Sequence, residues 1–234
     1  MTQEVIMVDP VQLFPGFMLA DPSYVVTDLL ICVFSIYEWA KLRRFWNRPR
    51  TIYQQLFLAY FLLMAIATLS AALLSHGFRL YLTAPAFNYP SWLLNILSLS
   101  CFALATIERS NYLKPLRPRK WMIGMVILVT LGMMVWTVIS NDFLAMEAHI
   151  GFCVVVISTP LQFRFIRRKE CQLLLVTTLL LLPTPFVSIF NLGIAPWCDF
   201  YDVIHLLITA AMYASYRSCL AQEQPFIPSP TSII

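Results

Sequence analysis

Asp199, Asp202 and His205 recur at intervals of three in the segment Asp199-Phe-Tyr-Asp-Val-Ile-His205. On a helix, residues three apart are neighbours on one face. An Asp-x-x-His pair placed that way has three uses. It can supply two metal ligands, as Glu-x-x-His does in helical di-iron sites. It can orient an imidazole for proton transfer. It can also be a buried hydrogen-bonded pair that fixes helix packing. Asp28 and His76 stand in other apolar stretches and belong to the same question. An ionisable group inside an apolar span is costly and needs a reason.

The segments that must position these groups follow from composition. Of 234 residues, 59% are hydrophobic and only 12% charged, with mean hydropathy +0.73. Soluble domains are about 45–50% apolar and about 25% charged. The chain therefore reads as an all-α membrane protein, and the composition excludes a soluble enzyme, a disordered chain and a nucleic-acid binder. A bilayer core takes about 20 apolar residues as helix. Seven such runs occur, at 23–42, 53–76, 91–109, 121–140, 143–163, 171–191 and 199–218. They are continuous rather than alternating, so barrel strands are not expected. The expectation is a seven-transmembrane-helix bundle over residues 23–218. It is preceded by an interfacial segment 1–22, with Phe14, Phe17 and Met18 at the membrane surface, and followed by a disordered tail 219–234 rich in Pro and Ser.

Charge sets the orientation. Of the sixteen Lys and Arg residues, all but Arg79 fall on one side of the alternating loops. The positive-inside rule makes that side cytoplasmic, so the N-terminus lies outside and the C-terminus inside. An odd number of spans requires opposite sides, in agreement. No basic residue precedes Lys41, so the first span is expected to act as its own insertion signal. With this topology Asp28, His76, Glu147, His149, Asp199, Asp202 and His205 all lie near the outer leaflet. All three histidines of the chain are among them.

Plainer roles compete for several of these residues. Asp199 reads as the N-cap of the seventh helix, and Asp142 as a loop or cap residue. His149 reads first as a structural hydrogen bonder. Glu38 and Glu108 lie toward the inner ends, where Lys41 and Arg109 are in reach as partners. Pro160, Pro183 and Pro185 should interrupt the fifth and sixth helices. Of the six cysteines none forms a CxxC pair, so neither a disulfide framework nor a thiolate zinc site is expected. The Met and Phe stripes of helices two to four read as core and lipid contact.

A resemblance attaches to Thr27-Asp28, to Ser75-His76-Gly77, and to Asp199 through His205 followed by Tyr216-Arg217. These stretches are similar to an uncharacterised family of bacterial seven-helix membrane proteins, which implies residence in the bacterial inner membrane. More remotely, the layout resembles the superfamily of alkaline ceramidases and progestin/adipoQ receptors. That superfamily holds zinc with one His ending helix two and two on helix seven, with Ser and Asp near a bound water. By that resemblance His76 and His205 are metal ligands, and Ser75 (or Ser70) and Asp28 stand in for the catalytic pair. The second helix-seven histidine is missing: four residues from His205 stand Thr209 and Tyr201. Asp202 would have to take its place, or His149 reach across.

Two functions are therefore carried forward. In the first, His76, Asp202 and His205 hold Zn2+, Asp28 positions or deprotonates a water, and the substrate is a lipid amide or ester entering from the bilayer. In the second, the protein is a non-enzymatic sensor, small transporter or assembly partner, and the same cluster is a proton-linked polar network. The partner common to both is the lipid bilayer.

Overall fold

The computed structural model describes residues 11–14, 17–47, 51–82, 84–190, 192–194 and 199–221. Seven long helices follow the seven apolar runs. They are α1 Pro22–Phe45, α2 Ile52–Gly77, α3 Tyr89–Leu113, α4 Arg119–Ser140, α5 Leu144–Phe163, α6 Lys169–Ile189 and α7 Phe200–Ala221. Six of them have the length and apolarity to cross a membrane. The other, α1, has the length but carries Asp28 and Glu38 within it. The molecule is a polytopic helical membrane protein.

Each helix packs on its predecessor, and α7 returns to α1, so the bundle closes. α3 touches both α2 and α5, which pushes α4 to the outside against α3 and α5. Two apolar clusters fill the interior. One joins Ile31, Phe57, Phe61, Met64, Phe102, Leu174 and Met212. The other joins Ile96, Leu99, Ala103, Met146, Val154 and Leu181. In a bilayer the outward face must be apolar, and α1 obeys this with Val26, Val33 and Ile36 exposed. Its inward face carries Asp28, Ile31, Cys32, Ser35, Glu38 and Leu42, spaced at the helical period. Polar groups thus point to the bundle interior, where partners exist.

Two helices depart from α geometry. The last seven residues of α2, Ala71–Gly77, form a π-helix, as do Phe152–Ser158 within α5. Such segments use i→i+5 bonding and are frequent at functional sites. α6 is interrupted between Leu181 and Thr184. Pro185 has no N–H to give the Leu181 carbonyl, and the Thr184 hydroxyl donates to that oxygen instead, at 2.8 Å. Pro160 stands in the first turn after the π segment of α5, where a missing N–H costs little.

A feature not expected from the sequence precedes α1: an antiparallel hairpin of Val11–Phe14 and Phe17–Leu19. It is tied to the end of α2, since Ala20 N–H donates to the Gly77 carbonyl at 3.5 Å. Met18 N–H donates to the Tyr81 hydroxyl at 2.9 Å. The expected tail begins inside α7, which runs to Ala221. Residues 222–234, residues 1–10, the loop arginines Arg48 and Arg50, and Cys198 lie outside the described residues. The five described cysteines are free.

Candidate functional site

α1, α2 and α7 bring their polar residues together at one end of the bundle. Asp28 is 2% exposed and lies between two imidazoles. Its Oδ1 is 3.5 Å from His205 Nε2, and its Oδ2 is 3.7 Å from His76 Nε2. The other ring nitrogen of each histidine also has a partner group. His205 Nδ1 meets the Thr27 hydroxyl at 2.6 Å. His76 Nδ1 faces Asp21 Oδ2 at 3.8 Å, and Arg79 Nη1 reaches the same oxygen at 3.5 Å. The result is one row, Arg79–Asp21–His76–Asp28–His205–Thr27, built from three helices, the turn before α1 and the turn after α2.

Local sequence explains the placement. Asp21 precedes Pro22 and takes the N-cap position of α1, which sets it beside the end of α2. His76 lies in the π turn, whose wider winding changes which residues face inward. Thr27 lies one residue before Asp28 and points to the neighbouring helix. Asp199 caps α7 as expected: its Oδ1 accepts from the N–H groups of Tyr201 at 2.9 Å and Asp202 at 3.3 Å. Its other oxygen accepts from the Tyr24 hydroxyl. Tyr24 stands edge-on to His76 and to Tyr201, with ring centroids 5.1 Å apart in both cases.

The row borders a cavity of about 260 Å³. Asp28, Ser75, His76, Arg79, Glu147 and His205 supply its polar wall, and Ile31, Met64 and Ile208 are among its apolar residues. A second space, an apolar cleft of about 350 Å³ between α5 and α6, includes the region of Pro185. The two spaces share Glu147 and Ile150.

The sequence-derived candidates divide accordingly. Asp28, Ser75, His76 and His205 all line the cavity. Ser75 Oγ is 3.5 Å from Ser91 Oγ on α3. Asp202 is buried but does not line the cavity, and its Oδ1 has no hydrogen-bond partner. Asp202 meets Thr27 instead, the residue whose hydroxyl contacts His205 Nδ1. His149 is fully buried elsewhere, with Nε2 3.0 Å from Ser100 Oγ and 3.4 Å from Cys153 Sγ. Ser100 in turn meets Thr130 at 2.8 Å, so this is a closed network of α3, α4 and α5. Among the described residues, no group of three or more His, Cys, Asp or Glu side chains is disposed to hold a metal ion.

The ion pairs at the opposite end of the bundle also differ from expectation. Glu108 is held by Arg119, with three contacts of 2.8–3.0 Å. Arg109 pairs with Glu170 at 3.1 Å. Lys41 turns its ammonium toward the Tyr37 ring, 5.5 Å from the centroid, and both Glu38 oxygens are buried without a hydrogen-bond partner.

What the row can do follows from its charges. Asp21, Asp28 and Arg79 sum to one negative charge when ionised. Unbalanced charge in a buried site is costly. One proton on either imidazole or on Asp28 makes the row neutral. The 3.5–3.8 Å gaps are longer than hydrogen bonds, so a proton can be held or passed with small side-chain movements. Residues 23–224 match a family described as a family of unknown function (DUF6962). No curated protein and no solved structure matches the chain.

Proposed function

The chain belongs to that family, DUF6962, and from the geometry of this member we propose a proton-linked binding site for a small polar solute, in a membrane protein of the small-transporter kind. The observation that carries this reading is the row itself. Two imidazoles flank one buried carboxylate on the wall of a cavity. Histidine is the side chain whose ordinary charge change falls between about pH 5 and pH 8. The cavity is below the usual range of drug-sized pockets, about 300–1,000 Å³, which fits a small solute. A guanidinium, a carboxyl and hydroxyls on its wall suit a ligand with both donors and acceptors. In our reading the N-terminus is outside and the C-terminus cytoplasmic, because all basic residues but Arg79 belong to the other side. The cavity then faces the outside of a bacterial inner membrane.

Trp92 and Tyr201 line the cavity and report on it. Intrinsic fluorescence of the full chain in lipid nanodiscs should show a transition between about pH 5 and pH 8. His76→Ala with His205→Ala should abolish it without lowering helix content. A transition unchanged in the double variant sinks the reading.

One observation favours a second reading, hydrolysis of a lipid amide or ester with Zn2+. The apolar cleft meets the polar cavity at Glu147 and Ile150, a suitable lodging for an acyl chain. The expected ligand set does not fit as it stands, because Asp202 does not line the cavity and meets Thr27 instead, and among the described residues no three such side chains are disposed to hold a metal. Elemental mass spectrometry decides. Near-stoichiometric zinc that is lost in His205→Ala would replace the first reading with this one.

A further inference from the structure

Glu38 is a second buried carboxyl, on the same inward face of α1 as Asp28 and ten residues further on. At 1.5 Å per residue the two are about 15 Å apart along the helix. Glu38 is 1% exposed and Ser35 is fully buried. Both Glu38 carboxyl oxygens and the Ser35 hydroxyl lack a hydrogen-bond partner. Buried polar groups in folded proteins are rarely left so. A carboxylate there would be an unpaired charge in the low-dielectric interior, which costs several kcal/mol. A proton on the carboxyl removes that charge.

Its surroundings are those of a relay rather than an ion pair. Tyr60 of α2 interacts with Ser215 of α7 and senses the charge of Glu38. Ser215 Oγ is 3.1 Å from Thr177 Oγ1 on α6, and Ser98 of α3 donates to the Tyr60 carbonyl at 2.9 Å. Tyr216 and Cys219 of α7 also lie close enough to interact with Glu38. Arg109 of α3 also acts on Cys219 and is engaged by Glu170, while Lys41 on α1 turns to the Tyr37 ring. Ile31, Met64 and Ile208 line the cavity and, along α1, α2 and α7, lie between the row and this cluster. From Ile31 to Ser35 is about one helical turn.

We propose that Glu38 is a proton-binding site, the inner station of a proton route whose outer station is the Asp21–His76–Asp28–His205 row. The apolar layer of Ile31, Met64 and Ile208 separates the two. This inference rests on the reading of the row as proton-linked. It adds that the proton is taken up on the side away from the solute.

The test uses the full chain in phosphatidylethanolamine–phosphatidylglycerol vesicles. Infrared difference spectra across a pH series should contain the carbonyl band of a protonated carboxylic acid. That band should fade as pH rises and be absent in Glu38→Gln, while Asp28→Asn keeps it. Removing the Asp28 charge should also move its midpoint to lower pH, by roughly half to one unit for charges about 15 Å apart. The apolar reagent dicyclohexylcarbodiimide should modify wild-type Glu38 several-fold more at low pH than at high pH, which decides the matter even if Glu38→Gln does not fold. Identical spectra for wild type and Glu38→Gln, or Glu38 unmodified at low pH, overturn the proposal. A midpoint indifferent to Asp28→Asn overturns the route. Loss of the histidine-dependent fluorescence transition with the Glu38 band intact would instead fail the outer site alone.

Discussion

Thr27 Oγ1 and His205 Nδ1 stand 2.6 Å apart, and this contact fixes which edge of the imidazole meets Asp28. The Thr27 hydroxyl has one proton and several acceptors in reach: His205 Nδ1, the Asp202 carboxylate, and the carbonyls of Ser23 at 3.1 Å and Tyr24 at 3.2 Å. When it donates to Nδ1, a neutral ring carries its hydrogen on Nε2, toward Asp28. When it donates to a carbonyl, Nδ1–H is the donor and Nε2 is bare. Moving one hydroxyl proton therefore changes what Asp28 faces. Thr27→Val should lower stability by about 1–3 kcal/mol, the cost of a buried group left unpaired. It should also broaden the fluorescence transition, and Thr27→Ser should restore both. Thermal unfolding and the pH series check this; a Thr27→Val protein with wild-type behaviour refutes it.

Asp21 sets the charge of the row from its other end. Asp21→Asn removes the carboxylate shared by His76 and Arg79. A cation loses its counter-charge, so protonation of the row becomes harder. The fluorescence transition should move to lower pH, and Arg79→Gln, which removes a positive charge, should move it the other way. The Arg79 effect should be the smaller and should fade with added salt, because its side chain is half exposed.

Gly77 closes the π turn that carries Ser75 and His76. A Cβ at this position would lie 2.6 Å from the Ala72 carbonyl oxygen, a backbone atom with little freedom to move. Gly77→Ala should cost about 1–3 kcal/mol, as overpacking does, and disturb the His76-dependent transition. Gly124→Ala and Gly132→Ala on α4 meet nothing within 4 Å. They should be neutral or stabilise by about 0.5–1 kcal/mol through helix propensity. Equal effects at Gly77 and Gly132 would show that the turn is not required.

Two ion pairs at the opposite end should differ in weight. Arg109 and Glu170 have side chains 5% and 13% exposed, whereas Arg119 beside Glu108 is 35% exposed. Glu170→Ala leaves a buried guanidinium unpaired and should cost about 3–5 kcal/mol. Glu108→Ala should cost about 1 kcal/mol or less. Denaturant or thermal unfolding in the same detergent measures both.

How far the sequence discloses this arrangement depends on the quantity asked for. The helices follow the apolar runs closely, because bilayer thickness imposes a length that single residues cannot blur. Depth is equally legible: Asp28, His76 and His205 were expected at one level and do meet. Direction around the helix axis is not. His149 shares their depth but faces Ser100 and Cys153, and Asp202 meets Thr27 instead of lining the cavity. The π turns left no mark in the residue pattern, yet one of them carries His76. Asp21 was missed although Asp-Pro before an apolar run is a helix-start signal. Tyr24 and Arg79 were missed because each lies at a helix end, where an aromatic or a charge is unexceptional.

α4 is the least enclosed helix, with only 17% of its span buried. It rests on α3 and α5 alone among the larger packing contacts, and Leu128 and Ile139 on it point outward. It contributes nothing to the row, the cavity or the Glu38 cluster. A spin label or fluorophore attached at Leu128 would sit in lipid without touching the residues under test. The stave that matters least to the chemistry is thus the natural handle for watching the rest of the barrel move.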